Sequence, residues 1–174
     1  SVESVYKRYP EKTVERLQYF LPDFDLTLNF HPMDFTQVNA EINQQIVKQA
    51  VRLLNLEKED RVLDLFCGLG NFTLAIARHC REVVGVEGND EMVKRGEENS
   101  LLNKISNATF HQANLNKNIE NKSWLSTPFT KILIDPPRSG AIEIITQIAN
   151  LRAERIVYVS CNLATLARDS ALLV

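Results

Sequence analysis

Apolar residues in this chain gather in short runs, separated by longer stretches in which they recur every three or four positions. Five of the runs have the length and apolar character of buried strands in a parallel sheet. They cover residues 61–66, 82–87, 108–112, 131–135 and 155–160. Because helical patterns lie between these runs, their order predicts an α/β fold with a doubly wound parallel sheet.

The clearest helical pattern precedes the first predicted strand. Asn39 stands where its side chain could cap this helix. The apolar positions that predict it are Ile42, Ile46, Ala50, Leu53 and Leu54. Ahead of the fourth strand, residues 114–128 are rich in Asn and Lys and predict a polar loop or a weak helix.

Residues 1–35 follow a different pattern, which three prolines interrupt. Residues 26–30 alternate as a strand does. The stretch before them predicts a helix from the spacing of Val14, Leu17 and Leu21. We therefore expect an N-terminal appendage over residues 1–35, followed by the main domain over residues 36–174.

Composition narrows the class of protein. The chain has 174 residues, 44% of them hydrophobic and 24% charged, which is typical of one globular domain with a substantial core. It has no apolar run long enough to cross a bilayer and no signal-peptide pattern at its start. These features predict a cytoplasmic protein without a membrane partner.

The cysteines and the net charge exclude further classes. Cys67, Cys80 and Cys161 lie far apart and form no C-x-x-C pair, which argues against a disulfide framework and against a metal site. We expect reduced thiols. The net charge of -2 means that the molecule as a whole would not attract a polyanion. If the substrate is a nucleic acid, most of the contacts that bind it must come from outside these residues.

A glycine turn follows the first predicted strand. Gly68 and Gly70 would let the chain turn sharply and let a ligand approach the backbone. A dinucleotide site needs a small residue where Thr73 stands, so the NAD interpretation weakens. Glu87 ends the next strand, where a carboxylate can accept hydrogen bonds from both ribose hydroxyls. Glu87 alone would equally suit a solvated acid, but together with the turn it favours a nucleoside ligand.

The residues around the turn have two interpretations each. Asn71, beside Phe72, could hold the polar end of a small zwitterion or simply cap the next helix. Phe66 has the character of a core residue, and Cys67 that of a small filler inside the turn.

Cys161 follows the fifth predicted strand, at the edge of the sheet where ligands of such folds bind. This position suits a nucleophile. A thiolate here could add to C6 of a pyrimidine base, a step that methylation of uracil at C5 would need first because its C5 proton is not readily lost. The helix beginning near Leu163 would direct its positive end at the sulfur, and Arg138 or Arg168 could add charge. The alternative is a buried strand-end cysteine.

The loop after the fourth predicted strand would face the same cleft. Pro136 and Pro137 stiffen it, so Asp135 and Arg138 would lose little freedom when a planar base binds. Asp135 could instead start a turn, and Arg138 could be an ordinary surface charge.

These motifs resemble those of the RNA uracil-C5 methyltransferases that use S-adenosylmethionine, and most closely the bacterial 23S ribosomal RNA branch. The similarity runs from about residue 29 to residue 171 in four ordered segments. They are Phe35-Thr-Gln-Val-Asn39, Asp64-Leu-Phe-Cys-Gly-Leu-Gly-Asn-Phe-Thr73, Asp135-Pro-Pro-Arg-Ser-Gly140 and Val159-Ser-Cys-Asn-Leu-Ala-Thr-Leu-Ala-Arg-Asp169. The resemblance implies a Rossmann-like methyltransferase fold and an RNA substrate, 23S ribosomal RNA.

The resemblance also implies roles for single residues. Cys161 would be the catalytic nucleophile, and residues 29–39 would fold over the cofactor as a flap. The residues expected to contact S-adenosyl-L-methionine are Gln37, Phe66, Asn71, Glu87, Asn114 and Asp135. Spacing alone would have assigned neither Gln37 nor Asn114, which could equally be a polar residue beside a helix and a turn residue.

Full-length members of the family carry segments that this chain lacks, so we expect a partial methyltransferase domain that ends after the fifth strand. An RNA-binding barrel and an iron–sulfur cluster would belong to the missing N-terminal region. The family's general base, a glutamate well after the nucleophile, has no counterpart here. We expect binding of S-adenosylmethionine without turnover, and an exposed edge at residues 155–160 that allows oligomers or strand pairing.

Other functions stay open at this point. A transfer RNA is the next candidate substrate, and the same thiolate chemistry serves cytosine C5. An acid-Pro-Pro sequence also occurs in enzymes that methylate exocyclic amines, but an aromatic normally follows it there, where this chain has Arg138. A Rossmann-like module that binds the cofactor without catalysis is the alternative of a different class.

Overall fold

The structure is a computed structural model that describes residues 16–32, 34 and 39–173. The strands in this part of the chain are β1 (Leu17–Leu21), β2 (Leu26–Phe30), β3 (Arg61–Leu65), β4 (Glu82–Glu87), β5 (Ala108–Gln112), β6 (Lys131–Ile134) and β7 (Arg155–Tyr158). The helices are α1 (Ala40–Leu54), α2 (Thr73–Ala77), α3 (Asp90–Leu102), α4 (Ile142–Asn150) and α5 (Leu163–Ser170). Two short 3-10 turns cover Pro22–Phe24 and Ser123–Leu125.

Five parallel strands form the central sheet in the order β5-β4-β3-β6-β7. The chain builds outward from β3 through β4 to β5, then crosses back to place β6 and β7 on the other side. This reversal is the switch point of a doubly wound sheet. The predicted fold class is confirmed, and β7 lies at the edge as expected. The predicted bounds of β4 and β5 agree with the structure, while the other three strands end one or two residues earlier.

Alternation along the central strands divides the buried residues between the two faces of the sheet. Val62 packs on one face with the apolar residues of α1, α2 and the β1–β2 hairpin. Leu63 and Leu65 pack on the other face with α4 and the loop that carries Trp124. All five residues of β3 are buried, which places this strand at the centre of both cores. Each large side chain buried in this way stabilises the fold by about 1.5–3 kcal/mol.

Helix α1 begins as predicted, since the Asn39 side chain accepts a hydrogen bond of 3.1 Å from the backbone N–H of Ile42. Its buried face agrees with the predicted one at Ala50 and Leu54 and differs elsewhere. Ile42 and Leu53 are 52% and 45% exposed. The residues that α1 buries are Asn43, Val47, Ala50 and Leu54. The polar Asn43 belongs to this face because its side chain has a partner in the candidate site.

The helix predicted through Leu17 and Leu21 is wrong, because these residues form β1, while Val14 lies outside the described residues. The 3-10 turn and Asp25, whose φ is 50°, reverse the chain so that Leu21 pairs with Leu26 in an antiparallel hairpin. Spacing alone allowed either element, and pairing with the predicted strand β2 decides between them. The expected domain division at residue 35 stays a prediction.

The hairpin packs against α3 through side-chain amides. Asn99 accepts from the backbone N–H of Asn29 at 2.8 Å and donates to its carbonyl at 3.1 Å. Asn103 makes the same two contacts with Thr27. The helix therefore supplies hydrogen bonds to β2 as a neighbouring strand would. No helix in the described ranges is long and apolar enough to span a membrane.

Candidate active site

The carboxyl ends of the four strands β4, β3, β6 and β7 meet at one edge of the sheet. Leu65 is the common reference, since it is in register with Val86 on β4 and Ile134 on β6, and Ile134 is in register with Tyr158 on β7. The residues that follow these positions, predicted for the site, are Phe66, Glu87 and Asp135, with Cys161 three residues beyond Tyr158. Most of the predicted site residues therefore leave the sheet around its switch point, where ligands of this fold bind.

The glycine turn follows β3 as predicted. Gly68 and Gly70 have φ angles of 54° and 96°, and the N–H of Gly70 donates to the carbonyl of Cys67 at 3.0 Å. A Cβ on Gly70 would lie 3.1 Å from the Phe110 ring, so the turn packs tightly on its inner side. A Cβ on Gly68 would meet only the methyl group of Met92, at 3.6 Å. The turn thus leaves its backbone open at Gly68.

Phe66 has a left-handed backbone, with a φ of 63°. This conformation is rare for a bulky residue and clusters at functional sites. Two consecutive N–H groups, those of Phe66 and Cys67, donate to the carbonyl of Val86 at 2.9 and 3.1 Å and hold the bend. The Phe66 side chain is half-buried, between the fully buried strand and the glycine turn.

Glu87 binds the glycine turn directly. Its Oε2 accepts from the backbone N–H of Gly68 at 3.1 Å, and its Oε1 accepts from the N–H of Asn89 at 2.9 Å. The carboxylate is half-buried and fixed by both bonds. Each oxygen keeps a further lone pair, which could accept a hydroxyl of a ligand. The position suits the predicted ribose contact, which stays a prediction.

Asn71 does not cap α2, whose first turn has no side-chain cap. Its amide instead pairs with that of Asn43 through two hydrogen bonds of 2.9 and 3.0 Å. The Tyr19 hydroxyl donates to the same Asn71 oxygen at 2.9 Å. With that oxygen occupied twice, the free capacity of the side chain is one amide N–H, which suits an acceptor group such as a carboxylate.

Sequence reasoning missed three residues that support the turn. Tyr19 and Asn43 hold Asn71, and Asn99 of α3 donates to the carbonyl of Leu69 at 3.1 Å inside the turn. Asn99 is completely buried. The signal was present in part, because Asn43 and Asn99 interrupt the faces that their helices turn to the core. A polar residue on such a face needs a buried partner.

Two carboxyl groups beside the turn have raised pKa values. Asp64 is fully buried, and burial raises its pKa to about 8, helped by the charges of Asp135 and Glu87. Its Oδ2 accepts from the Thr73 hydroxyl at 2.6 Å, and its Oδ1 has no hydrogen-bond partner. Burial also raises the pKa of Asp135, to about 6. Perturbed acids of this kind are typical of functional sites.

Two further residues were expected at the cofactor. Asn114 follows β5 and is exposed, with its side-chain oxygen accepting from the N–H of Asn116 at 3.0 Å. This is the turn geometry that the sequence also allowed. Gln37 and four other residues of the expected flap, at positions 33, 35, 36 and 38, lie outside the described residues. The roles of Gln37 and Asn114 stay predictions.

Cys161 is exposed, whereas Cys67 is buried and Cys80 is half-buried. The sulfur lies between the end of β7 and α5, which Asn162 caps by accepting from the N–H of Ala164 at 3.0 Å. The alternative of a buried strand-end cysteine is therefore wrong. Of the three thiols, that of Cys161 is the one accessible to a large substrate.

The expected charges around the sulfur are arranged differently. Arg168 binds the buried carboxylate of Asp169 at 2.7 Å, so its charge is compensated there. Arg138 is exposed, and its carbonyl accepts from the Asn162 side chain at 3.2 Å. The Asp135–Pro–Pro–Arg138 loop is thereby connected to the segment that carries Cys161.

The sequence model of the tRNA (Uracil-5-)-methyltransferase family matches residues 14–173. The chain belongs to this family. It is 54% identical over 173 residues to the 23S rRNA (uracil(1939)-C(5))-methyltransferase RlmD of Legionella pneumophila (strain Lens), which covers 99% of the chain and 39% of that protein. It is 56% identical over 149 residues to the RlmD of Photobacterium profundum, covering 86% of the chain and 32% of that protein. The chain thus spans well under half the length of these relatives.

Solved structures agree with this assignment. The tRNA (uracil-54, C5)-methyltransferase of Pyrococcus abyssi, in complex with S-adenosyl-L-homocysteine, has a TM-score of 0.78 at 28% identity and covers 92% of the chain and 38% of its own. The precorrin 8w decarboxylase of Methanobacterium thermoautotrophicum has a TM-score of 0.67 at 20% identity, over 84% of the chain and 76% of its own. The second likeness shows the shared Rossmann-like fold alone.

Proposed function

We propose that this chain supplies the cofactor site and the nucleophile of an S-adenosylmethionine-dependent enzyme that methylates C5 of a uridine in 23S ribosomal RNA. The observation that supports it most is the position of Cys161. This exposed thiol leaves the same edge of the sheet as Glu87, Asp135 and the glycine turn. A thiol and a nucleoside site in one cleft are what carbon methylation of a pyrimidine requires.

The residues at the turn fit S-adenosylmethionine. Gly68 leaves room for a ligand against the backbone, and Glu87 offers acceptor lone pairs for the ribose hydroxyls. The free N–H of Asn71 suits the carboxylate of the amino-acid end. Phe66 and Asp135 flank the turn, and Gln37 and Asn114 complete the proposed set. When bound, the cofactor supplies an electrophilic methyl group on a sulfonium.

The proposed reaction starts at Cys161. Its thiolate adds to C6 of the uracil, which forms an S–C6 bond and makes C5 electron-rich. C5 then takes the methyl group, so that the methyl–sulfonium bond breaks and S-adenosylhomocysteine leaves. A base removes the C5 proton, and the electrons of that C–H bond expel the thiolate and restore the ring. We assign no residue of this chain as that base, so we expect the 174 residues alone to show no turnover.

Ribosomal RNA is favoured over transfer RNA by similarity. The relatives named for 23S ribosomal RNA are 54% and 56% identical, whereas the structure named for a transfer RNA is 28% identical. The exposed Cys161 disfavours methylation of an exocyclic amine, which needs no thiol. An iron–sulfur cluster in the longer protein and a cytoplasmic location accompany this proposal as predictions.

The test is methyl transfer from isotope-labelled S-adenosylmethionine to 23S ribosomal RNA from cells without the modification, using the protein in its full length. We expect label at C5 of one uridine and a protein–RNA adduct when that uridine carries fluorine at C5, because a base cannot remove fluorine as it removes a proton. Label on a nitrogen, on cytosine or only on transfer RNA would contradict the proposal.

A further inference from the structure

Asp169 lies at the end of α5 and is completely buried. Few carboxylates are buried unless they are paired and hydrogen-bonded, because desolvation of the charge is costly. Asp169 meets this requirement with three groups from different places in the chain. Each of these groups adjoins a segment of the candidate active site.

The first oxygen of Asp169 joins β7 to the loop after β6. Its Oδ2 accepts from the Tyr158 hydroxyl at 2.6 Å and from the backbone N–H of Ala141 at 2.7 Å. Tyr158 is the last residue of β7, three residues before Cys161. Ala141 closes the loop that begins at Asp135. One buried oxygen therefore links the loop and the strand that carry the two proposed functional groups.

The second oxygen of Asp169 extends the link to the loop backbone. Oδ1 accepts from Nε of Arg168 at 2.8 Å and lies 2.7 Å from Nη2 of the same guanidinium, which also donates to the carbonyl of Ser139 at 2.9 Å. At the start of α5, the side chain of Asn162 donates to the carbonyl of Arg138 at 3.2 Å, and the Thr165 hydroxyl lies 3.5 Å from the same oxygen. Both ends of α5 therefore form hydrogen bonds with the loop.

Gly140 shows how closely the two segments approach. Its φ is 84°, which favours glycine, and a Cβ built there would lie 2.5 Å from Oδ2 of Asp169 and in contact with Arg168. A side chain at this position could not coexist with the carboxylate. The loop therefore provides space for Asp169 as well as a hydrogen bond to it.

We propose that Asp169 is a positioning residue that locks Cys161 and the Asp135–Gly140 loop into one rigid unit. The thiol would then keep a fixed position relative to Asp135 and Arg138 when a base enters between them. The hydrogen-bond donors outweigh the effect of burial and lower the pKa of Asp169, so the carboxylate is ionised when it binds Arg168. The effect on catalysis rests on the proposed function, whereas the lock itself rests on the contacts.

The first test measures hydrogen exchange in the 174-residue chain. Asp169→Ala should speed exchange of the Gly140 and Ala141 amides, and Gly140→Ala should speed exchange in α5. If Asp169 stabilised only its own helix, its replacement would not change the exchange rates of the loop amides. Asp169→Asn keeps an oxygen for the Ala141 N–H and should retain most of the protection at that amide.

A control variant separates the lock from general destabilisation. Asn107→Ala removes two partly buried hydrogen bonds, to the carbonyls of Ala77 and Cys80, away from the proposed site. It should lower the free energy of unfolding, but it should not selectively speed exchange of the amides in the loop and in α5. If Asp169→Ala does not fold, Tyr158→Phe removes one donor to the same oxygen and gives the comparison with a smaller change. Unchanged exchange at Gly140 and Ala141 in Asp169→Ala, or in Tyr158→Phe where it replaces that variant, would overturn the lock.

The second test measures methyl transfer by the full-length protein. Asp169→Ala should lower kcat on the order of a hundredfold, the typical effect of misplacing a reacting group by about 1 Å. The KM for S-adenosylmethionine should change little, and Asp169→Asn should recover part of kcat. An unchanged kcat in an active enzyme would overturn the positioning role. Wild-type protein without methyl transfer would instead overturn the proposed function, and the exchange data would still decide the lock.

Discussion

The two halves of the candidate site are held in place by different chemistry. Apart from the Glu87 carboxylate, which accepts from the N–H of Gly68, the side chains that support the glycine turn of the cofactor half are neutral: the hydroxyl of Tyr19 and the amides of Asn43 and Asn99. The nucleophile half, around Cys161, is held by the ionised pair of Arg168 and Asp169. Hydrogen bonds between neutral groups do not themselves depend on pH, whereas the strength of an ion pair does.

The position in the sheet explains this difference. The turn follows β3, which has a strand on each side and is buried throughout, so small neutral contacts suffice to fix the residues after it. Cys161 follows β7, which has one neighbouring strand among the described residues and mostly half-buried or exposed residues. Less packing surrounds this strand within the described chain, and the buried carboxylate of Asp169 connects it to the loop after β6. The predicted association through this edge stays a prediction.

The largest expected effect is loss of methyl transfer without loss of cofactor binding, from a substitution in the nucleophile half alone. Cys161→Ala should abolish methyl transfer, since the proposed reaction begins at this sulfur, and should leave binding of S-adenosylmethionine unchanged by calorimetry. Cys80→Ala, at a half-buried thiol that contacts the carbonyl of Glu82, serves as the control and should keep activity. Transfer at a normal rate by Cys161→Ala would remove the thiol from the mechanism.

The pH dependence of stability should have opposite signs in the two halves. The pKa of Asp64 is raised to about 8, so the stability present below its unfolded value near ~4 is lost as the pH rises through 8. Asp64→Asn should flatten this dependence, by a few kcal/mol between about pH 4 and 8. Denaturant unfolding across that range measures it, with the exposed Asp23→Asn as control. A profile as steep as that of the wild type would contradict it.

For Asp169 the sign reverses. Its pKa is lowered, so the stability it contributes is present above the unfolded pKa and is lost as the pH falls through the folded value. Asp169→Asn should therefore be less stable than the wild type at neutral pH and approach it in acid. Equal stability of the two proteins at neutral pH would contradict a charged contact in the nucleophile half.

A smaller effect is expected at the ribose contact. Glu87→Gln replaces one acceptor oxygen by a donor and should weaken binding of S-adenosylmethionine by roughly tenfold to a hundredfold, the value of a charged hydrogen bond. Calorimetry measures it, and the alkylation rate of Cys161 should stay unchanged. Glu91→Gln, at an exposed acid on α3 that pairs with Lys94, is the control. Equal affinity in both variants would remove Glu87 from the site.

The smallest effect tests the neutral network. Tyr19→Phe removes the hydroxyl bonded to Asn71 and keeps the ring packed on Phe30, so unfolding should cost about 0.5–1.5 kcal/mol less. Cofactor affinity should fall slightly. Tyr158→Phe removes one hydrogen bond in the other half and should leave that affinity unchanged. If both variants bind the cofactor alike, the hairpin does not support the turn.

Much of the fold was predictable because buried parallel strands leave a clear mark in the sequence. The runs at 61–66 and 82–87 are apolar on both faces, and their order with the helices determined the sheet. The N-terminal hairpin was not predictable in the same way. Leu17 and Leu21 satisfy helical spacing and strand alternation alike, and the decision came from a partner strand that local pattern does not reveal.

The site residues that directly follow strand ends could be predicted from the sequence. Those that reach the site from helices elsewhere in the fold could not. Glu87, Asp135 and Cys161 are placed by the strands before them. Asn43 and Asn99 lie on helices far from the turn in sequence, and their amides reach it only after the core has packed. Local periodicity does not show which groups these amides bind. A polar residue at a buried position indicates only that some hydrogen-bond partner exists.

The backbone of Phe66 has a consequence for protein engineering. Holding a phenylalanine at a φ of 63° costs about 1–2 kcal/mol relative to a relaxed residue, and glycine would not incur this cost. A glycine at this position would therefore relieve the backbone, but it would also remove a half-buried ring that packs against the core. Unfolding and ligand binding measured on this variant would weigh the strain against the contacts of the ring.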